Sequence, residues 1–197
     1  MANPAGLFRE RLDYEDVWQS LESAAFCGRT IPVLRTEHLL LLLCAHGAKH
    51  AFARLGWICD IASCLIAFPN LRWPDVLAAS ARAGTMRELL LGLKLAEDLL
   101  GIPLPPALPG DPAVDKLVSF VRSRVLAAAP IRVDESELIP FCLRLFESGR
   151  HRLRFLRGHL EPSFADYQAL QLPPAFYFFY YVLRPVRLIA KYTVRRK

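Results

Sequence analysis

Proline placement constrains this chain more than any other feature of its sequence. Residues 103–112, PLPPALPGDP, hold five prolines in ten positions. Each proline removes a backbone donor and crowds the preceding turn, so neither a helix nor a sheet interior can run through this stretch. It reads as a rigid joint between an N-terminal helical subdomain, residues 1–102, and a C-terminal helical subdomain, residues 113–197. Pro69, Pro130, Pro162, Pro173–Pro174 and Pro185 mark further stops or turns.

Between these stops the apolar residues recur at helical spacing. Asp13 to Ala25, DYEDVWQSLESAA, predicts a first helix with acidic residues in its opening turn, where they favour the helix dipole. Phe26 to Leu34, FCGRTIPVL, contains glycine and β-branched residues and predicts one short strand near 29–34. Thr36 can cap a long helix from Glu37 to Phe68, which Gly47 and Gly56 could divide. Residues 75–82 and 85–100 form a helical pair, with Gly84 between them and Gly101 as C-cap. Val114 to Ala129 is amphipathic. Asp134 to Gly158 places Leu138, Phe141, Cys142, Leu145 and Phe146 at i, i+3, i+4, i+7 and i+8. With no repeat and no βαβ alternation, the expected fold is a mainly α, multi-helix bundle.

Composition agrees with a folded chain. Of 197 residues, 53% are hydrophobic and 22% charged, which excludes global disorder. The length implies one domain or at most two, with a self-sufficient core. Cys27, Cys44, Cys59, Cys64 and Cys142 form no CxxC pair and follow no secretory leader, so buried free thiols in a reducing cytoplasm are expected. No apolar run approaches the roughly 18 residues of a membrane span. The net charge of +6 is unevenly placed. Residues 150–197 carry ten Lys and Arg against Glu161 and Asp166, a balance of +8, which leaves −2 for residues 1–149.

Leu39 to Leu43 is five consecutive leucines, which predicts a helix hydrophobic all round and seated in the core. Polar residues follow directly. On a continuous helix His46, Lys49, His50, Trp57 and Asp60 fall within an arc of about 100°. Polar groups emerging from a buried helix need partners or cost on the order of 1–3 kcal/mol each. Three readings stay open: a metal site, an anion or phosphate site with Arg54 added, and a structural network in which Asp60 accepts from His or Lys. The i, i+4 spacing of His46 and His50 suits metal ligands. No glutamate follows His46, however, and Lys49 would repel a cation, so no metal ligand is assigned. Cys44 and His46 lie two apart on a helix and do not face each other, which argues against a thiol–imidazole dyad.

Near the C-terminus, Phe176 to Leu183 is FYFFYYVL, eight apolar residues of which six are aromatic. Arg184, Arg187, Lys191 and Arg195–Lys197 follow. An interfacial helix on an anionic membrane, bases stacked on the rings, and a core helix with snorkelling arginines all fit this pattern. Phe176, Tyr180, Arg184 and Arg187 are the candidate surface residues, and nucleic acid is the least expected partner.

The runs HLLLLLCAHGAKHAFARLGWICDIA, RELLLGLKLAEDLLGIPLP and LPPAFYFFYYVLRPVRLIAKY resemble, in that order, an uncharacterised bacterial nucleotidyltransferase family related to the minimal nucleotidyltransferases. The residues that carry the resemblance are His46, Gly47, Lys49, His50, Trp57 and Asp60, then Arg184, Pro185 and Arg187, within a span from about Tyr14 to Tyr192. The resemblance implies an α/β lobe whose glycine–serine turn and paired aspartates bind Mg²⁺ and a nucleoside triphosphate. No such motif stands in this sequence. The expectation is therefore a C-terminal helical lobe, truncated or served by a separate nucleotidyltransferase lobe. It would supply the acceptor or substrate side of a transfer site through His46, Lys49, His50, Arg54, Trp57 and Asp60, with no catalytic residue and no cofactor bound by this chain itself. The alternative is a non-enzymatic helical module that binds a protein partner or an anionic membrane.

Overall fold

A computed structural model describes residues 14–105, 108–127, 135–162, 167–168 and 170–184. Asp13, Pro130, Asp134, Pro185, Arg187, Lys191 and Arg195–Lys197 lie outside the described residues. The chain divides into two compact units, one of residues 8–148 and one of residues 1–7 and 149–197.

The larger unit opens with α1 (Tyr14–Gln19), a two-stranded antiparallel hairpin of β1 (Glu22–Phe26) and β2 (Arg29–Val33), and α2 (Thr36–Lys49). There follow α3 (Leu55–Ala67), α4 (Trp73–Ala83), α5 (Met86–Leu100), α6 (Pro112–Val125) and α7 (Glu135–Leu145). The described residues are mainly helical, as expected, with one short sheet. Three local expectations need correction.

The first helix does not reach Ala25. It stops at Gln19, and residues 22–26 are a strand whose partner is the expected one. The reason is the two-residue turn Cys27–Gly28, with φ of 49° and 74°. Positive φ at both central residues gives the type I′ geometry that matches strand twist, and Phe26 pairs with Arg29 across it. Cys27 is consequently exposed, unlike the buried Cys44, Cys64 and Cys142. All five cysteines are free thiols.

Second, the leucine run is not buried all round. Leu40 and Leu41 are in the core, but Leu42 is 39% exposed. Thr36 is itself the first helical residue of α2, and no side chain caps that helix. The centre of the core is α5, which packs against α2, α3, α4 and α6. It buries Leu89, Leu90, Leu91, Leu93, Leu95 and Ala96. Close approach is possible because position 92 is glycine. A Cβ there would stand 2.7 Å from the Cys44 sulfur and 2.9 Å from Ile61 Cδ1. The same core holds the fully buried Glu88 carboxyl. Burial, then the nearby Cys64 and Glu88, pushes the Cys44 thiol far above its ordinary range. Burial with Glu88 pushes Cys142 up to about 12.

Third, residues 134–158 do not form one helical region. The chain leaves helix at Phe146–Ser148, and the second helix, α8 (Gly149–Leu160), belongs to the smaller unit. Phe141, Cys142, Leu145 and Phe146 are buried as the spacing predicts, and Leu138 is half-buried.

The expected glycine stops hold. Gly84 (φ 61°) and Gly101 (φ 66°) end α4 and α5 in the left-handed conformation. The Pro-rich stretch leads from α5 into α6, whose start is fixed chemically. Asp111 accepts from the Ala113 N–H at 2.8 Å, with Pro112 in the first turn. Arg87 ties this cap to the end of α7. Its Nε donates to Asp111 at 2.7 Å, its terminal nitrogen donates to the Arg144 carbonyl at 2.7 Å, and its backbone N–H donates to Glu147 at 2.8 Å. Burial alone would raise the Asp111 carboxyl. The hydrogen bonds from Arg87 and the Ala113 and Val114 amides, with the Arg87 charge, outweigh it and hold the pKa below its ordinary 3.8.

Two measurements check this packing. Gly92→Ala should lower stability by about 1–3 kcal/mol in denaturant unfolding, although alanine is the better helix former. An unchanged or raised midpoint would show that α2, α3 and α5 are not in close contact at this point. For Asp111 the folded carboxyl has the lower pKa, so its stabilisation is complete above pH 3.8 and is lost as pH falls through the folded value. Asp111→Asn should therefore be clearly less stable than the parent at pH 6. The gap should close in strong acid, as melting curves across pH would read directly.

Candidate functional site

The residues singled out by the sequence sit where α2 ends and α3 begins. The long helical stretch expected there, which Gly47 and Gly56 could divide, is broken at residues 50–54, between the two glycines rather than at either. Ala51 and Phe52 take φ of 49° and 46°, a left-handed turn. The Ala51 N–H donates to the Ala48 carbonyl at 2.9 Å and the Phe52 N–H to the Gly47 carbonyl at 2.8 Å. This pair of bonds is the Schellman termination, normally built with glycine at the left-handed position. Alanine there costs roughly 1–2 kcal/mol. The offset comes from Phe52, whose ring is fully buried directly over Gly47, in the space that any Cβ at position 47 would occupy.

This turn, rather than a shared helix face, brings the predicted residues together. The His46 and His50 rings lie 5.1 Å apart, centroid to centroid, edge to face. Trp57, three residues into α3, returns to meet both. It stands edge-on to His46 at 5.5 Å and stacks on His50 at 5.0 Å with 27° between the planes. The Arg54 guanidinium lies 5.7 Å from the centroid of the Trp57 ring, a cation–π distance. Lys49 is half-buried, while His46, His50 and Arg54 are exposed. Asp60 is exposed, one turn beyond Trp57, and no salt bridge among the described residues joins it to Lys49, Arg54 or the histidines.

The electrostatics follow from this crowding. Although exposed at its edge, the His50 ring is partly desolvated by the His46 and Trp57 rings packed against it. That desolvation, then the positive potential of Lys49, His46 and Arg54, lowers its pKa from the ordinary 6.5. Lys49 and Arg54 place positive charge beside the imidazoles. The cluster is thus an exposed concentration of positive charge and imidazole N–H donors around one indole, an arrangement that attracts anions. It does not suit a resident cation. Mg²⁺ takes oxygen ligands, mainly carboxylates, and the one carboxylate of the predicted set is Asp60. Among the described residues no group of three or more His, Cys, Asp or Glu side chains could hold a metal ion.

The aromatic candidates belong to the other unit. Phe176 is exposed, but Tyr180 is buried and anchors its segment. Its hydroxyl donates to the Leu170 carbonyl and accepts from the Leu172 N–H at 3.0 Å. Arg184 is buried, and Arg187 lies outside the described residues. Two positioning residues were not singled out in the sequence as part of the site, Phe52 and Ala51. The one signal for them was Gly47, an unfavourable residue inside an apparent helix. A groove of about 370 Å³ between the end of α3, the start of α4 and Ile102–Pro105 is lined by apolar residues such as Leu65, Phe68, Trp73 and Leu104, with no titratable group.

Residues 4–101 match the model of a protein family described as "Uncharacterised nucleotidyltransferase". The match contains α1, the hairpin and α2 to α5, and hence the whole cluster, and covers about half of the chain. It does not extend to the third resembling run near residues 172–192. No curated protein and no solved structure gives a match.

The charge environment predicts a specific titration. In NMR, His50 should titrate below 6.5, and both Lys49→Gln and Arg54→Gln should move it upward. A His50 pKa unchanged in both variants would mean that those cations do not act on the ring.

Proposed function

We propose that this chain supplies the phosphate-binding, substrate side of a nucleotidyl-transfer site. The observation that carries the proposal is the gathering of Arg54, His46 and His50 around Trp57, with the Lys49 charge acting on His50 and no paired carboxylate in the cluster. The family match over the stretch that contains the cluster supports the reaction class. In this reading Lys49 and Arg54 neutralise phosphate charge, His46 and His50 donate to phosphate oxygens, and Trp57 offers a flat apolar face beside them. Asp60, on the same helix as Trp57, would accept from a hydroxyl of the acceptor. The carboxylates that bind the metal in nucleotidyl transfer would come from a separate lobe, since this cluster does not provide them. No residue is assigned to the chemical step itself.

Because anion binding favours imidazolium, affinity should rise as pH falls through the depressed His50 value. Tripolyphosphate, the phosphate portion of a nucleoside triphosphate, is the direct probe. Its addition at pH 7 should shift the ring resonances of His46 and His50. The double variant Lys49→Gln/Arg54→Gln should bind at least tenfold more weakly, about 1.4 kcal/mol per tenfold. Resonances that stay fixed at millimolar tripolyphosphate, or equal affinity in the variant, would contradict the proposal. ATP binding more tightly than tripolyphosphate, with the advantage lost in Trp57→Ala, would extend the site to the base.

A further inference from the structure

The smaller unit has a surface that a folded domain rarely leaves in water. Around the buried Tyr180, the segment 176–183 turns its other large side chains outward. Phe178 is 61% exposed, Tyr181 59% and Val182 62%, and these three are spaced i, i+3, i+4 along a short 3₁₀ helix, Pro174–Phe179, that runs on into a turn of α-helix. Phe176, Tyr177, Phe179 and Leu183 are exposed as well. The segment cannot slide inward to hide them, because Tyr180 is pinned by its two backbone hydrogen bonds and by the Tyr167 ring at 4.5 Å. Exposed apolar patches of this kind mark interaction sites.

Charge indicates the partner. Residues 150–197 carry a net +8, so an aromatic segment lies within the most basic part of the chain. Nucleic acid would use the rings and the cations, but it has no use for exposed Val182 and Leu183, which present no π-face. Both are at home in lipid. Among the described residues no helix is long and apolar enough to cross a membrane, so the contact would be interfacial.

We propose that the unit containing residues 149–184 is a peripheral docking surface for anionic membranes. Phe178, Tyr181 and Val182 enter the headgroup–acyl boundary, and the net positive charge carried by residues 150–197 draws the unit to lipid phosphates and carboxylates. The test is co-sedimentation of the full chain with vesicles of phosphatidylcholine alone or with 30% phosphatidylserine. Binding is expected to the anionic vesicles only, reduced at least tenfold by 0.5 M NaCl. It should fall at least tenfold in Phe178→Ser/Val182→Ser and by less in the milder Tyr181→Ser. All three side chains are exposed, so both variants should keep the parent's circular dichroism and melting temperature. No binding at low salt, or binding equal in folded variants and parent, would overturn the proposal. So would a dimer of the parent that Phe178→Ser/Val182→Ser converts to monomer, since a second copy would then be the occupant. Preference for single-stranded DNA over anionic vesicles would assign the surface to nucleic acid instead.

Discussion

The contact of the Phe52 ring with the bare Cα of Gly47 determines how the larger unit is assembled. It closes a left-handed turn at Ala51–Phe52 that ends α2, and it lets α3 start after only five intervening residues. Both helices then pack on α5, where Gly92 admits Cys44 from α2 and Ile61 from α3. Two glycines without side chains thus set the approach of three helices. Burial of an aromatic side chain contributes roughly 1.5–3 kcal/mol, of the same order as the roughly 2–4 kcal/mol that left-handed Ala51 and Phe52 cost together.

The same turn makes the site. Had α2 continued, Trp57 would stand almost two turns from His50, and its ring could not stack on it. The reversal places the indole against both imidazoles and puts Arg54 over its face. The cluster costs something to hold, since packing desolvates the His50 ring and each cation raises the potential at its neighbours, and the lowered pKa of His50 reflects first the desolvation and then those charges. An anion would relieve it. The proposed binding role therefore follows from an unrelieved concentration of positive charge at the end of a packed turn.

Much of this was legible in the sequence, and the failures have specific causes. Gly84 and Gly101 marked the ends of α4 and α5 because left-handed caps select glycine. Asp111–Pro112 falls inside the Pro-rich stretch that reads as a joint, yet it is an N-cap followed by proline in the first turn. The hairpin was half seen. Glu22, Ala24 and Ala25 favour helix intrinsically, and only the Cys27–Gly28 turn overrides that preference. Gly47 and Gly56 point to a division of the long helical stretch, but its place at residues 50–54 cannot be read from HAFAR, which contains neither glycine nor proline. The proximity of His46, His50 and Trp57 was anticipated from a helical arc that does not exist, and the turn restores it by another route. The aromatic run stands out in the sequence, but Tyr180 is the pin rather than part of the exposed face.

The central claim is that the junction of α2 and α3 holds phosphate. A crystal structure of the chain grown with tripolyphosphate would test it most directly. The account predicts density for the anion within hydrogen-bond distance of Lys49 and Arg54 and beside the His50 and Trp57 rings. Well-ordered crystals with this surface open to solvent and no anion there, or with the anion bound only elsewhere, would contradict it.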